Sequence, residues 1–245
     1  MVLCAALAGL TAPAAAQVPS PTTLAPAATG AVNSNPDDPA FADLLDAIEA
    51  TVDQDKMIDN GLLAVKRQFA ADPNLAAAEG ASPGLIDEIA ESLRPIIKQQ
   101  NKRVSAAYRP EMIGAIAQYL TPEEATSVAA FYRSDIGRKL MGNVVANYSF
   151  DSTLATMMEE KPVTADQVRT DINNAVNQGV AQMDQEDLIA MGKQAMANPA
   201  LMKLQQVNPA IQQVRVKMEN APLTDEENAA IVTVVEDVFA RRFPQ

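Results

Sequence analysis

The sequence has no histidine, no tryptophan and one cysteine, Cys4, in 245 residues. Without imidazole there is no Ser-His-Asp triad, no Cys-His dyad, no histidine general base and no imidazole metal ligand. One cysteine forbids an intrachain disulfide and a cysteine-rich zinc site. Positive charge is also scarce: 19 Lys and Arg stand against 31 Asp and Glu, a net charge of −12. Nucleic-acid affinity comes largely from cations that neutralise phosphates, so a nucleic-acid partner is not expected. No apolar run reaches the ~20 residues that span a bilayer, so no transmembrane anchor is expected either.

The first charged side chain is Asp37. Val2 to Leu10 form a short apolar run, followed by Pro13, Ala14-Ala15-Ala16 and Gln17. An apolar segment leading into an A-x-A site is the layout of a secretory signal peptide, here residues 1–16, with the mature chain starting at Gln17. The usual basic residues before the apolar run are missing, so either the α-amino group serves alone or a start codon lies upstream of Met1, the second being the preferred reading. Cys4 follows Leu3 rather than a small residue, which argues against a lipid anchor, and cleavage removes it. The expected location is the periplasm. Residues 17–37 are rich in Pro, Ala and Thr, and six of the sixteen prolines fall by residue 39. Such a stretch buries too little apolar area to offset its ordering entropy, so it reads as a mobile linker.

From Asp38 onward the apolar period is 3.6 and no alternating run stands out, which predicts an all-α fold of about eight to ten helices in antiparallel hairpins. Asp38-Pro39 reads as an N-cap with proline at the first helical position. Phe41, Leu44, Leu45, Ile48 and Val52 share one face. The next stripe, Ile58 to Phe69, ends near Asp72-Pro73. Ser82-Pro83 opens a third helix, which Pro95 should kink, and Arg109-Pro110 starts a fourth. Thr121…Glu124, Thr164…Gln167 and Thr224…Glu227 match the capping box, and Asp184…Asp187 is a weaker version. These acids therefore read as caps rather than as a catalytic dyad or a metal site, and no metal or cofactor is expected. Matching caps recur 63 to 64 residues apart. A duplicated helical pair and the ordinary reuse of caps both account for that. The expected division is residues 38–160 as one helical domain and 161–245 as a second helical region.

Tyr108-Arg109-Pro110, Leu120-Thr121-Pro122-Glu123-Glu124 and Phe131-Tyr132-Arg133-Ser134-Asp135-Ile136-Gly137-Arg138-Lys139-Leu140 together resemble the DUF2059 family, whose short signature reads FY-x-S-P-x-G-x-K-L after a T-x-E-E helix start. Asp135 stands where the family usually has proline. The resemblance implies an exported, all-helical bacterial protein without an assigned biochemical role, and it transfers no catalytic residue. Physically, Thr121 and Glu124 start one helix and Phe131-Tyr132 close it with large apolar area. Ser134 caps the next helix, and Gly137 allows close approach of backbone. These six residues are the expected structural motif.

All four tyrosines, Tyr108, Tyr119, Tyr132 and Tyr148, lie between residues 108 and 148, with Phe131 and Phe150. Two readings of this cluster stand: a core anchor, or a groove in which Tyr108, Tyr119 and Tyr148 contact a protein, peptide or lipid of the cell envelope. The eleven methionines include one adjacent pair, Met157-Met158, and read as core filler rather than a copper site. The expected function is a periplasmic, non-catalytic helical interaction module. The rivals are a carboxylate-based hydrolase acting on an envelope glycan and a purely structural envelope protein.

Overall fold

The computed structural model describes residues 31–158 and 161–244, with the side chains of Met157 and Met158 set aside. The expected leader at 1–16, including Cys4, and the linker up to residue 30 lie outside the described residues. The described chain is all-α, with no strand among the described residues. In order the helices are α1 (Pro39–Glu49), α2 (Gln54–Ala71), α3 (Pro73–Ala81), α4 (Leu85–Ala117), α5 (Pro122–Arg133), α6 (Asp135–Ala146), α7 (Asp151–Met158), α8 (Ala165–Ala181), α9 (Gln185–Ala197), α10 (Pro199–Glu219) and α11 (Asp225–Arg242).

The starts follow local chemistry. Asp38 accepts from the Ala40 amide at 3.0 Å in front of Pro39. The boxes Thr121/Glu124, Thr164/Gln167 and Thr224/Glu227 each close in both directions. Asp184 takes the Asp187 amide at 2.9 Å without a reciprocal bond. Asp72, Ser134 and Asn198 each end one helix and cap the next, so three helix pairs turn on a single residue. At Asp72 this corrects the sequence reading, which ended a helix there and assigned nothing before Ser82. A short polar acceptor both stops α2 and starts the alanine-rich α3.

The start expected at Ser82-Pro83 is a turn instead. Gly84, at φ 89°, occupies the left-handed region that glycine enters freely, and the Glu79 carboxylate accepts the Gly84 and Ile86 amides at 2.7 and 2.8 Å. From there α4 runs 33 residues through both Pro95 and Pro110. No separate helix starts at Pro110. Both rings, and Pro209 inside α10, lie on exposed positions. The carbonyl that each proline leaves without a donor can therefore meet water, which is why the helices continue.

Helix α4, ~50 Å long at 1.5 Å per residue, organises the rest. Its C-terminal half gives Val104, Met112 and Ile116 to the main core, which also takes Phe41 and Leu45 of α1, Val128 and Tyr132 of α5, Leu140 and Val144 of α6, Ile172 and Val176 of α8, and Leu204 and Ile211 of α10. Its N-terminal half gives Leu85, Ile89 and Leu93 to a smaller cluster with Val65 and Phe69 of α2 and Val238 and Phe239 of α11. Helix α6 lies against α8, where a Cβ on Gly179 would come within 2.9 Å of the Val144 backbone nitrogen. Ahead of α1, the amides of Val32, Asn33 and Ser34 donate to the carbonyls of Ala117 and Gln118, at the end of α4. The chain is therefore tied down from residue 32, earlier than the residue-37 limit expected for the linker.

Charged pairs tie other helices to α4. Arg103 grips Glu227 of α11 with two bonds of 2.9 and 2.8 Å, while the same carboxylate accepts the Thr224 amide at 2.9 Å. Arg241 and Arg242 converge on Glu88 at 2.9 and 2.6 Å. Arg94 holds Asp59 of α2 at 2.8 Å. Arg103, and then the Thr224 amide, hold the Glu227 carboxyl below its ordinary value, and Arg241 and Arg242 do the same for Glu88. A carboxylate with a lowered folded-state pKa contributes stability above its unfolded value of ~4.3, and that contribution fades as pH falls through the folded value. The melting temperature is therefore expected to fall on acidification below about pH 5. Glu227→Gln should melt lower than wild type at pH 7, and the gap should narrow as the pH drops, as measured by circular dichroism.

Candidate functional site

The segment with the densest sequence signal forms the corner between α5 and α6. Thr121 Oγ1 accepts the Glu124 amide at 3.3 Å, and Glu124 Oε2 accepts the Thr121 amide at 2.9 Å. The other Glu124 oxygen sits 2.5 Å from Lys203 Nζ on α10, so the cap is also a tie between helices. At the far end of α5, Ser134 donates its hydroxyl to the Phe131 carbonyl at 2.6 Å and accepts the Gly137 amide at 3.2 Å. A Cβ on Gly137 would lie 2.2 Å from that carbonyl oxygen. Only hydrogen fits there, because the first turn of α6 rests on the last turn of α5. Asp135 occupies the first position of α6, next to the positive end of the helix dipole. Phe131 and Tyr132 are buried edge to face, with ring centroids 5.5 Å apart, and burial raises the Tyr132 phenol.

The three tyrosines expected to line a groove do not share one. Tyr148 is buried, 3% exposed, with its ring 4.7 Å from that of Phe150. Arg215 lies 5.1 Å from the Tyr148 ring centre and donates Nη2 to its hydroxyl. The phenol is therefore satisfied inside the protein, which corrects its reading as a contact residue. Tyr108 and Tyr119 are half-buried against the main core. They stand eleven residues apart, ~16 Å along a helix, and neither makes a ring contact among the described residues.

Arg215 and Glu219, both buried and 3.3 Å apart, were missed in the sequence. A signal was present: Arg215 lies four residues beyond Ile211 and eight beyond Val207, within the apolar stripe of α10. A charge at such a position needs a partner, and Glu219 one turn on provides it. Asp171 of α8 is likewise buried, accepting the hydroxyls of Ser152 and Thr153 at 2.5 and 3.0 Å.

Two surface features bear on function. A cleft of about 420 Å³ lies where α4 passes the α1–α2 connection, with Ile58 in its wall and Glu49, Lys98, Lys102 and Arg109 among its polar lining. Arg109 reaches Asp46 at 2.6 Å and Glu49 at 3.3 Å. Burial raises the Glu49 carboxyl, against the opposing pull of Arg109. Glu49 is the only carboxylate in that lining. The second feature is α9, a thirteen-residue helix with no fully buried residue. Leu188, Ile189 and Met196 are exposed by 39, 51 and 85%.

Compared with known proteins, residues 107–144 match the family described as "Uncharacterized protein conserved in bacteria (DUF2059)". The match covers the last part of α4, all of α5 and most of α6. No curated protein matches the chain, and no solved structure does.

The geometry of the corner makes a paired test. Gly137→Ala should lower stability by more than the ~1–3 kcal/mol typical of overpacking, because the obstructing atom is backbone. Gly142→Ala, five residues on and with nothing within 4 Å of its Cβ, should be neutral or gain up to ~1 kcal/mol from helix propensity. Urea unfolding of the two variants measures the difference.

Proposed function

We propose that the protein is an exported, periplasmic, non-catalytic helical module that docks a protein partner in the cell envelope, and that the docking surface is the outer face of α9. The observation that carries this reading is the exposure of Leu188, Ile189 and Met196 on one side of a helix that buries no residue fully. Isolated apolar side chains on a surface need no explanation, but several aligned on one helix favour a partner. The proposed contact surface thus moves from the tyrosines to α9, since Tyr148 is enclosed. The segment similar to DUF2059 supplies the corner that holds α5 on α6, and α6 in turn packs on α9. The charge-free first 36 residues, with their A-x-A site, support export.

The hydrolase reading rests on Glu49 and its raised carboxyl. Glycoside hydrolysis of the usual kind needs a second carboxylate ~5–9.5 Å across the scissile bond; among the described lining residues Glu49 is the only carboxylate, and its neighbour Asp46 is held outside the lining, on Arg109.

A photo-cross-linking amino acid placed at position 189 tests the docking surface in cells, with one at position 63 as control, since Leu63 is similarly exposed, at 47%, on α2. A discrete protein adduct from position 189, absent from position 63, is the expected result. No adduct from position 189, or equal labelling from both, would contradict the reading.

A further inference from the structure

Taking α9 as the docking face, its residue spacing goes further and identifies an occupant. The exposed residues Gln185, Ile189, Gly192 and Met196 follow one another at intervals of four, three and four. That is the seam spacing of a two-stranded coiled coil, here with two apolar side chains, Ile189 and Met196. Leu188 flanks the seam on one side. Glu186 and Lys193, seven residues apart, flank it on the other, both exposed. Neither makes an ion pair or side-chain hydrogen bond among the described residues, although most cations of this chain are paired. The inner side of the helix is already used: Asp187 pairs with Lys139 of α6, and Met191 packs on the main core.

We propose that α9 binds a second copy of itself, antiparallel, across a two-fold axis between Ile189 and Ala190. Such an axis sends residue 186 onto residue 193 of the other copy, and 193 onto 186. The arrangement is self-complementary, as an isologous interface must be. Each Glu186 then meets the other copy's Lys193, twice over, while Ile189 lies against its own counterpart at the centre. Gly192, whose Cβ position has nothing within 4 Å, leaves room for Gln185 of the facing helix. A parallel pairing fails on charge, because it sets Lys193 beside Leu188 and gives Glu186 no residue of α9 to face. The charge pattern thus selects both the partner and the direction. A helix of thirteen residues is only ~20 Å long, so the interface is small and the dimer weak, with a dissociation constant on the order of 100 µM.

The test is sedimentation of the purified mature chain from about 10 µM to 1 mM. The weight-average mass should rise toward that of a dimer. Glu186→Lys and Lys193→Glu should each weaken association about ten-fold, because two attractive pairs become two repulsive ones. The double variant Glu186→Lys/Lys193→Glu should recover wild-type association, and so should an equimolar mixture of the two single variants. Unchanged thermal unfolding of the variants shows that the fold is intact. A chain that stays monomeric to about 1 mM, or a double variant no better than the singles, overturns self-association. If the position-189 adduct in cells then holds a different protein, the docking face survives and only its occupant was wrong. If there is no adduct either, both fall.

Discussion

The fold depends on a long helix that two clusters share. Main core and smaller cluster both take side chains from α4, Leu85, Ile89 and Leu93 on one side and Val104, Met112 and Ile116 on the other, and α2 follows it with Met57 and Ala64 in the first and Val65 and Phe69 in the second. A chain this poor in aromatics must draw its burial from many aliphatic residues, and a 33-residue helix lines them up over two cores at little cost in loop closure. The middle of α4, where Lys98, Asn101 and Lys102 face the cleft, joins the two. Paired charges then bring α2, α10 and α11 onto that axis, α10 through Lys217 and Glu111. Exposed pairs contribute little singly, but Arg103–Glu227 is built into a helix cap, so breaking it also frees an amide.

The segment similar to DUF2059 lies at one end of this axis. It carries the buried end of α4 through the main core, turns into α5 at Thr121 and folds α6 against α5 at Ser134. The residues that make it recognisable are those the corner cannot do without: a hydroxyl that both donates and accepts, a glycine against a carbonyl, and two large rings to close the gap. A signature of that kind marks a shape and transfers no chemistry. What distinguishes this chain from a packing exercise is α9, which carries apolar side chains outward without an internal need for them.

Much of the fold was legible because helix starts are local. Asp38-Pro39, the three Thr-initiated boxes and Ser134 depend on atoms two or three residues apart, and each sits where the spacing predicts. The misreadings share a different cause. Pro110 starts no new helix because the carbonyl it orphans, that of Ala106, lies on an exposed residue, and exposure is a tertiary property. Asp72 serves two helices because α3 packs back on α2, which alanine-rich sequence does not announce. The tyrosine cluster offered two readings, and Tyr148 went inside because Arg215, 67 residues later, was there to meet its hydroxyl. The α9 seam was readable in principle, yet amphipathic periodicity does not reveal which of two faces points to solvent.

If α4 is the element both clusters require, they should not come apart separately. Residue-resolved native-state hydrogen exchange measures this directly. The account predicts that amides around Leu85–Leu93 and around Val104–Ile116 exchange with the same opening free energy, equal to that of global unfolding. Exchange of the Leu85–Leu93 amides through a smaller, separate opening, with Val104–Ile116 still protected, would contradict it.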